Sequence, residues 1–273
     1  MSAPLQSPLR VLVKGASTVN WISWMGGPRS DFTFPRVLEA QLAADGWPSE
    51  VRAITMASEK TSTILRTWQS DVISWSPDVI VLVYGHFETI HLFLPRWLER
   101  HARSMRTKPR RLSKLYRTYL LNPLWMALAH LQAALDARIP GASRRRRLKR
   151  VAADLDAYID RVQQVGSPMV VLFELLPPAT KFRAWFPGMA ARIELMNQEL
   201  AGVVARQDKP RVRLLRVSEL VDKHFDGNVD VATADGFHYV PELHREVGIA
   251  LAREVEEWAA TQPHLARSHT TDR

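Results

Sequence analysis

The run VIVLVY at residues 79–84 constrains this chain more than any other stretch. It is β-branched and aliphatic with no polar residue at alternate positions, so as a strand it has no face suited to water. Strands apolar on both faces belong to parallel sheets covered by helices on each side. Residues 169–175 (MVVLFEL) repeat the pattern and are stopped by Pro177 and Pro178. Residues 10–14 (RVLVK) and 51–56 are shorter strands of the same kind, and 212–217 is the last and weakest.

Helical patterns fill the intervals. Residues 31–45 read as a helix with Ser30 or Asp31 as cap, Pro35 in the first turn, Val37, Leu38 and Leu42 on one face and Gly46 as terminator. Ile64, Leu65 and Trp68 stand at helix spacing after residues 58–62, and Pro241 opens an amphipathic helix to Trp258. Five strands alternating with helices predict an α/β fold, a parallel three-layer sandwich with right-handed crossovers. The 273 residues suffice for one such domain, read as 1–262, with 263–273 as a polar, disordered tail.

More than eighty residues separate the third and fourth strands, far more than one crossover helix needs. The excess is a helical insertion at about 95–143, after which 144–165 supplies the crossover helix. Within the insertion, Leu121, Leu124, Trp125, Leu128, Leu131 and Leu135 are predicted to form one apolar face. Between Arg96 and Arg150 stand 16 Lys or Arg and 2 acidic residues, Glu99 and Asp136. That is a net of +14 against +9 for the whole chain, so the remainder is mildly acidic.

Two short motifs carry chemistry. Ser17, in Gly15-Ala16-Ser17-Thr18, follows the first strand at the edge where open parallel sheets bind ligands. In Asp235-Gly236-Phe237-His238 a carboxylate precedes an imidazole by three residues, a spacing from which one loop can fix the ring's tautomer and stabilise its protonated form. A serine hydroxyl becomes a nucleophile when such a base takes its proton. Each motif is common by chance; their conjunction, at the two ends of one α/β unit, is the signal.

These stretches, with Ser58-Glu59-Lys60-Thr61-Ser62 after the second strand and Gly85-His86-Phe87-Glu88 after the third, resemble in order the conserved blocks of SGNH/GDSL hydrolases. The resemblance implies a flavodoxin-like sheet and acyl-ester chemistry at Ser17, His238 and Asp235, without metal or cofactor. It further implies an oxyanion hole from the amides of Ser17 and Glu59, with His86 as a further donor, and substrate contact at Phe87 and Glu88. The chain departs from the family pattern at Ala16, Glu59 and Phe87, which stand where the family has Asp, Gly and Asn. Loss of the asparagine removes a side-chain oxyanion donor, an effect of about two to three orders of magnitude in turnover. The same triad also suits an acyltransferase, and the fold suits a non-catalytic scaffold.

The basic segment admits several readings: a lid on an anionic membrane surface, a groove for a polyanionic or coenzyme A ester, ordinary packing with solvated arginines, or nucleic-acid binding. The last is disfavoured because no aromatic platform interleaves with Arg144, Arg145, Arg146 and Arg147. His91, His101, His130, His224 and His244 show no metal-ligand spacing, and no phosphate loop or dinucleotide turn is present. With no cysteine and no signal-peptide-like apolar stretch, the expected location is the cytoplasm, peripheral to a membrane if the basic segment binds one.

Overall fold

A computed structural model of the chain describes residues 8–22, 27–28, 32–56, 59–90, 101, 111–138, 142–207, 210–233 and 235–265. Five strands, β1 (Leu9–Gly15), β2 (Ser49–Thr55), β3 (Val79–Val83), β4 (Met169–Phe173) and β5 (Val212–Leu215), form one sheet. Their order is β2-β1-β3-β4-β5 and every neighbouring pair is parallel, which is the flavodoxin-like arrangement. β3 and β4 are buried at every residue, as their wholly apolar sequences require. A two-residue antiparallel pair, Trp21–Ile22 with Gly27–Pro28, was not foreseen from the sequence.

The helices are α1 (Ser17–Asn20), α2 (Phe34–Ala44), α3 (Thr61–Trp68), α4 (His86–Ile90), α5 (Arg111–Tyr116), α6 (Asn122–Arg138), α7 (Ala142–Val165), α8 (Thr180–Arg183), α9 (Met189–Gln207), α10 (Val217–Phe225), α11 (Val229–Ala232) and α12 (Pro241–Ala259). Side chains alternate across each strand, so the sheet feeds two cores. Val11, Val13, Val81, Val171 and Phe173 pack with α2, α10 and α12. Leu12, Ile80, Leu82, Val170 and Leu172 pack with α3, α7 and α9. These are the three layers. No helix among the described residues is long and apolar enough to cross a membrane.

Three expectations shift in detail. The helix expected at 31–45 starts at Phe34, with Asp31 outside the described residues. Packing continues past residue 262, since Leu265 is buried in the core. The insertion's six apolar residues divide between two faces: Leu121 is buried and Trp125 and Leu128 half-buried, whereas Leu124, Leu131 and Leu135 are exposed. At about 100° per residue the apolar arc of α6 is wider than the surface the domain offers it.

One buried histidine ties the two ends of the chain together. His244 of α12 accepts the Phe34 N–H on Nδ1 at 3.2 Å and stacks on the Phe34 ring, so it satisfies an orphan amide at the start of α2, where Thr33 offers no side-chain cap. Burial, and secondarily the nearby His238, holds the His244 pKa down to about 3. The unfolded chain therefore takes up this proton first. The stability contributed by the neutral ring is complete above the ordinary histidine pKa of about 6.5 and is lost as pH falls from there toward 3. His244→Asn, which keeps an acceptor but cannot titrate in this range, is expected to lower Tm at neutral pH while flattening the fall in Tm across that window; thermal scans from pH 7 to pH 4 check it, and an unchanged slope would refute the assignment.

Candidate active site

The sheet brings three strand ends level. Gly15 pairs with Thr55 of β2 on one side and with Val83 of β3 on the other, so the loops after these strands open on the same edge. The chain order reverses between β1 and β3, which makes this the topological switch point where such sheets leave a crevice. Glycine at position 15 is a steric requirement: a β-carbon there would stand 2.6 Å from Val19 Cγ2 and 2.9 Å from the Val83 carbonyl. The tight turn at Gly15 and Ala16 leads to Ser17 at the first position of α1.

The loop before α12 meets it. His238 Nε2 lies 2.9 Å from Ser17 Oγ, and His238 Nδ1 lies 2.5 Å from Asp235 Oδ2. With Nδ1–H donated to the carboxylate, Nε2 keeps a lone pair and accepts the serine O–H. Asp235 also builds its own loop, because Oδ1 accepts the N–H groups of Phe237 at 3.0 Å and His238 at 2.8 Å. One carboxylate thus sets both the backbone turn and the ring it orients. The His238 and Asp235 side chains are 16% and 21% exposed, so the site is reachable from solvent.

Gly236 holds that turn at φ +95°, and a β-carbon there would fall 2.1 Å from Phe182 Cδ2. Phe182 and Phe186 pack on Phe237 with ring centroids 4.9 and 5.4 Å away, an aromatic wedge under the loop. The Gly236 carbonyl accepts the Ala179 N–H at 3.1 Å, which ties the loop to the segment after β4.

The remaining expected site residues are placed differently from one another. Ser17 N–H has no protein acceptor among the described residues, so it is available to a ligand. The Glu59 amide, expected to face an oxyanion, donates to the Met56 carbonyl at 3.1 Å, and the Glu59 carboxylate is buried and accepts the Tyr84 O–H at 2.8 Å. Ser58 lies outside the described residues. His86 does not offer the expected donor either: its Nε2 meets the Leu176 carbonyl at 3.1 Å, which commits the ring's one N–H. Burial, opposed by that carbonyl and assisted by His238, lowers the His86 pKa to about 4, so the ring is neutral near pH 7.

Phe87 lies under Lys60, whose Nζ is 5.2 Å from the ring centroid. Glu88, expected to touch substrate, points inward instead. Its Oε1 accepts Thr61 N–H at 2.8 Å, pinning the first residue of α3, and its Oε2 is buried without a hydrogen bond. The residue type explains the inversion: in helix α4 Glu88 falls on the buried side with Thr89.

Several supporting residues were not singled out from the sequence. Lys14 is 1% exposed and forms an ion pair with Asp71 while donating to Thr67 Oγ1 at 2.9 Å, which anchors α3 to β1 behind the nucleophile turn. Arg192 is buried and donates to the carbonyls of Thr89 at 2.6 Å, Ile90 at 3.1 Å and Pro187 at 3.3 Å, closing the carboxyl end of α4. A charged residue in an otherwise apolar pattern, of strand for Lys14 and of helix for Arg192, is the sequence signal that could have found either.

Comparison with known proteins agrees with this fold. The fold is that of the SGNH/GDSL hydrolases. A lipase/acylhydrolase from Enterococcus faecalis superposes with a TM-score of 0.59 at 15% identity, over 91% of this chain and 96% of that one. An acetylxylan esterase from Geobacillus stearothermophilus gives 0.56 at 12%, over 93% and 96%. A psychrotrophic esterase from a Pseudoalteromonas species, inhibited by monoethylphosphonate, gives 0.54 at 10%, over 93% and 100%. No family model and no curated protein matches the chain.

Two substitutions test how the site is held. Gly236→Ala introduces both positive-φ strain and the clash with Phe182, and is expected to cost about 1–3 kcal/mol in denaturant unfolding. A loss within error of zero would mean that the loop relaxes freely. Burial raises the Glu88 pKa, against the opposing hydrogen bonds from Thr61. For a carboxyl group that sign means stability is highest below the ordinary carboxylate range and declines as pH rises through the raised value. Glu88→Gln keeps an acceptor for Thr61 N–H and removes the titration, so its Tm is expected to exceed that of the parent at pH 8 and to converge with it near pH 4; the reverse order at pH 8 would sink this account.

Proposed function

We propose that this chain hydrolyses a carboxylic ester through an acyl-enzyme formed on Ser17. The observation that carries the reading is the continuous relay Ser17 Oγ, His238 Nε2, His238 Nδ1, Asp235 Oδ2, with heavy-atom distances of 2.9 and 2.5 Å across its two hydrogen bonds. The first falls within the range for a nucleophile and its base, and the second is a close hydrogen bond of the base to the group that orients it. The similar solved structures, described as a lipase/acylhydrolase and esterases, support the same chemistry.

In this mechanism Ser17 Oγ attacks the ester carbonyl while its proton passes to His238 Nε2. The imidazolium is stabilised by Asp235, whose negative charge lies against Nδ1. The carbonyl oxygen becomes an oxyanion, for which the unengaged Ser17 N–H is the donor we assign. Collapse of the tetrahedral intermediate breaks the ester C–O bond, and the alcohol leaves with the proton from His238. Water then attacks the acyl-enzyme, giving its proton to Nε2, and Ser17 is regenerated with release of the acid.

A hole with Phe87 in place of an asparagine, and with the Glu59 amide and His86 N–H both committed to carbonyls, has few donors. Slow turnover follows, by about two to three orders of magnitude for each donor lost. Active-site labelling with a fluorophosphonate is therefore a better assay than turnover alone. The parent protein is expected to label, Ser17→Ala to label not at all, and His238→Ala to react slower by about three orders of magnitude or more. Labelling that persists in Ser17→Ala would place the nucleophile elsewhere; a folded parent that neither labels nor hydrolyses p-nitrophenyl acetate would favour a non-catalytic scaffold.

A further inference from the structure

Helix α6 is apolar on two sides, one buried and the other exposed. Leu121, just before α6, and Ala129 and Gln132 within it are buried. On the outer side Leu124, Leu131 and Leu135 are 45%, 56% and 40% exposed. At about 100° per residue these leucines, with Ala127, Ala134 and Arg138, fall within one arc of roughly 100°, a continuous stripe along the helix. All six positions face solvent.

The segment that carries the stripe is strongly basic in sequence. Lys114, Arg138, Lys149 and Arg150 are exposed, and the only acidic residue from 111 to 150 is Asp136. An exposed leucine stripe among cations discriminates between occupants. A second copy of the chain would bring one +14 segment against another. A nucleic acid would match the charge but leave the leucines without an apolar partner. An anionic bilayer surface offers phosphates to the cations and acyl chains to the leucines.

The opposite face of α6 packs toward the segment that supports the His238 loop. Ala133 of α6 lies against Gly188, where a β-carbon would stand 3.8 Å from Ala133 Cβ. The segment just before Gly188 holds Phe182 and Phe186, packed on Phe237 of the His238 loop, and between them Trp185 is 43% exposed. We propose that the outer face of α6 docks this protein on an anionic lipid bilayer, and that the ester brought to Ser17 is one presented from that surface. The second half rests on the esterase reading above; the first does not.

The test is co-sedimentation of the full chain with vesicles of phosphatidylcholine alone or mixed with phosphatidylglycerol. Binding to the mixed vesicles at low salt is expected, with loss at 1 M salt, where the screening length contracts to about 3 Å. The triple variant Leu124→Asp, Leu131→Asp, Leu135→Asp is expected to bind at least about tenfold more weakly while hydrolysing p-nitrophenyl acetate as the parent does. Lys149→Glu with Arg150→Glu is expected to weaken binding to the mixed vesicles while leaving the same hydrolysis intact. Ser17→Ala is expected to bind vesicles fully. Hydrolysis of a long-chain ester embedded in the mixed vesicles is expected to fall in the leucine variant in proportion to its binding.

Failure of the parent to sediment with mixed vesicles overturns the docking surface. So does a dimer in light scattering that the leucine variant dissociates, or binding to a DNA duplex with none to vesicles. Vesicle binding without any ester hydrolysis upholds the docking surface and removes the esterase reading. Hydrolysis of p-nitrophenyl acetate without vesicle binding does the opposite.

Discussion

Because all five strands run the same way, every loop leaving a carboxyl end opens on one edge of the sheet, and residues remote in sequence are delivered to one place. The Ser17–His238 contact spans 221 positions. No local preference could produce it. It depends on β1 lying centrally between β2 and β3, and on α12 returning across the layer that also holds α2. The His244 bond to Phe34 N–H fixes that return six residues beyond His238, so the packing that seats α12 also sets the reach of the imidazole. Loop and core are one mechanical unit here.

The His238 ring is flanked by two buried imidazoles. His86 and His244 both interact with His238 and both are driven toward neutrality, first by burial. A protonated neighbour would oppose positive charge on the His238 ring; two neutral ones do not. Asp235 is then the partner that sits against the ring. Beneath the second loop the logic is similar. Tyr84 O–H satisfies the Glu59 carboxylate, and burial raises the Tyr84 pKa, so the phenol keeps the proton it donates. Glu88 is likewise pushed by burial toward its neutral form.

What was legible in the sequence follows from what each signal depends on. VIVLVY and MVVLF announce a doubly covered sheet because burial on both faces is a property of composition. Ser17, Asp235 and His238 could be singled out because their spacing to strands and helices is local, although their meeting is not. The orientation of Glu88 and His86 was not legible. Adjacent residues on a four- or five-residue helix point to different sides, and which side is interior depends on α9 and on the Leu176 carbonyl, both about a hundred residues distant. Lys14 and Arg192 were hidden for a related reason: a lone cation in an apolar pattern reads as a surface residue until the structure supplies Asp71 for one and three carbonyls for the other.

The long insertion is accommodated because it sits in a connection, not in the sheet. β3 and β4 pair in unbroken register from Val79 with Met169 to Leu82 with Leu172, despite everything between them. Lengthening a connection costs only logarithmically in closure entropy, and α7 still supplies the right-handed crossover. The connection leaves the sheet just after Gly85, on the edge that carries Ser17. Its helices are therefore obliged to emerge beside the site, and α6 finds its seat against the segment that also wedges the His238 loop. The basic residues are concentrated in this one addition, and the remainder of the chain is mildly acidic. A cation-rich segment of this kind raises the local concentration of anionic partners before any specific contact is made.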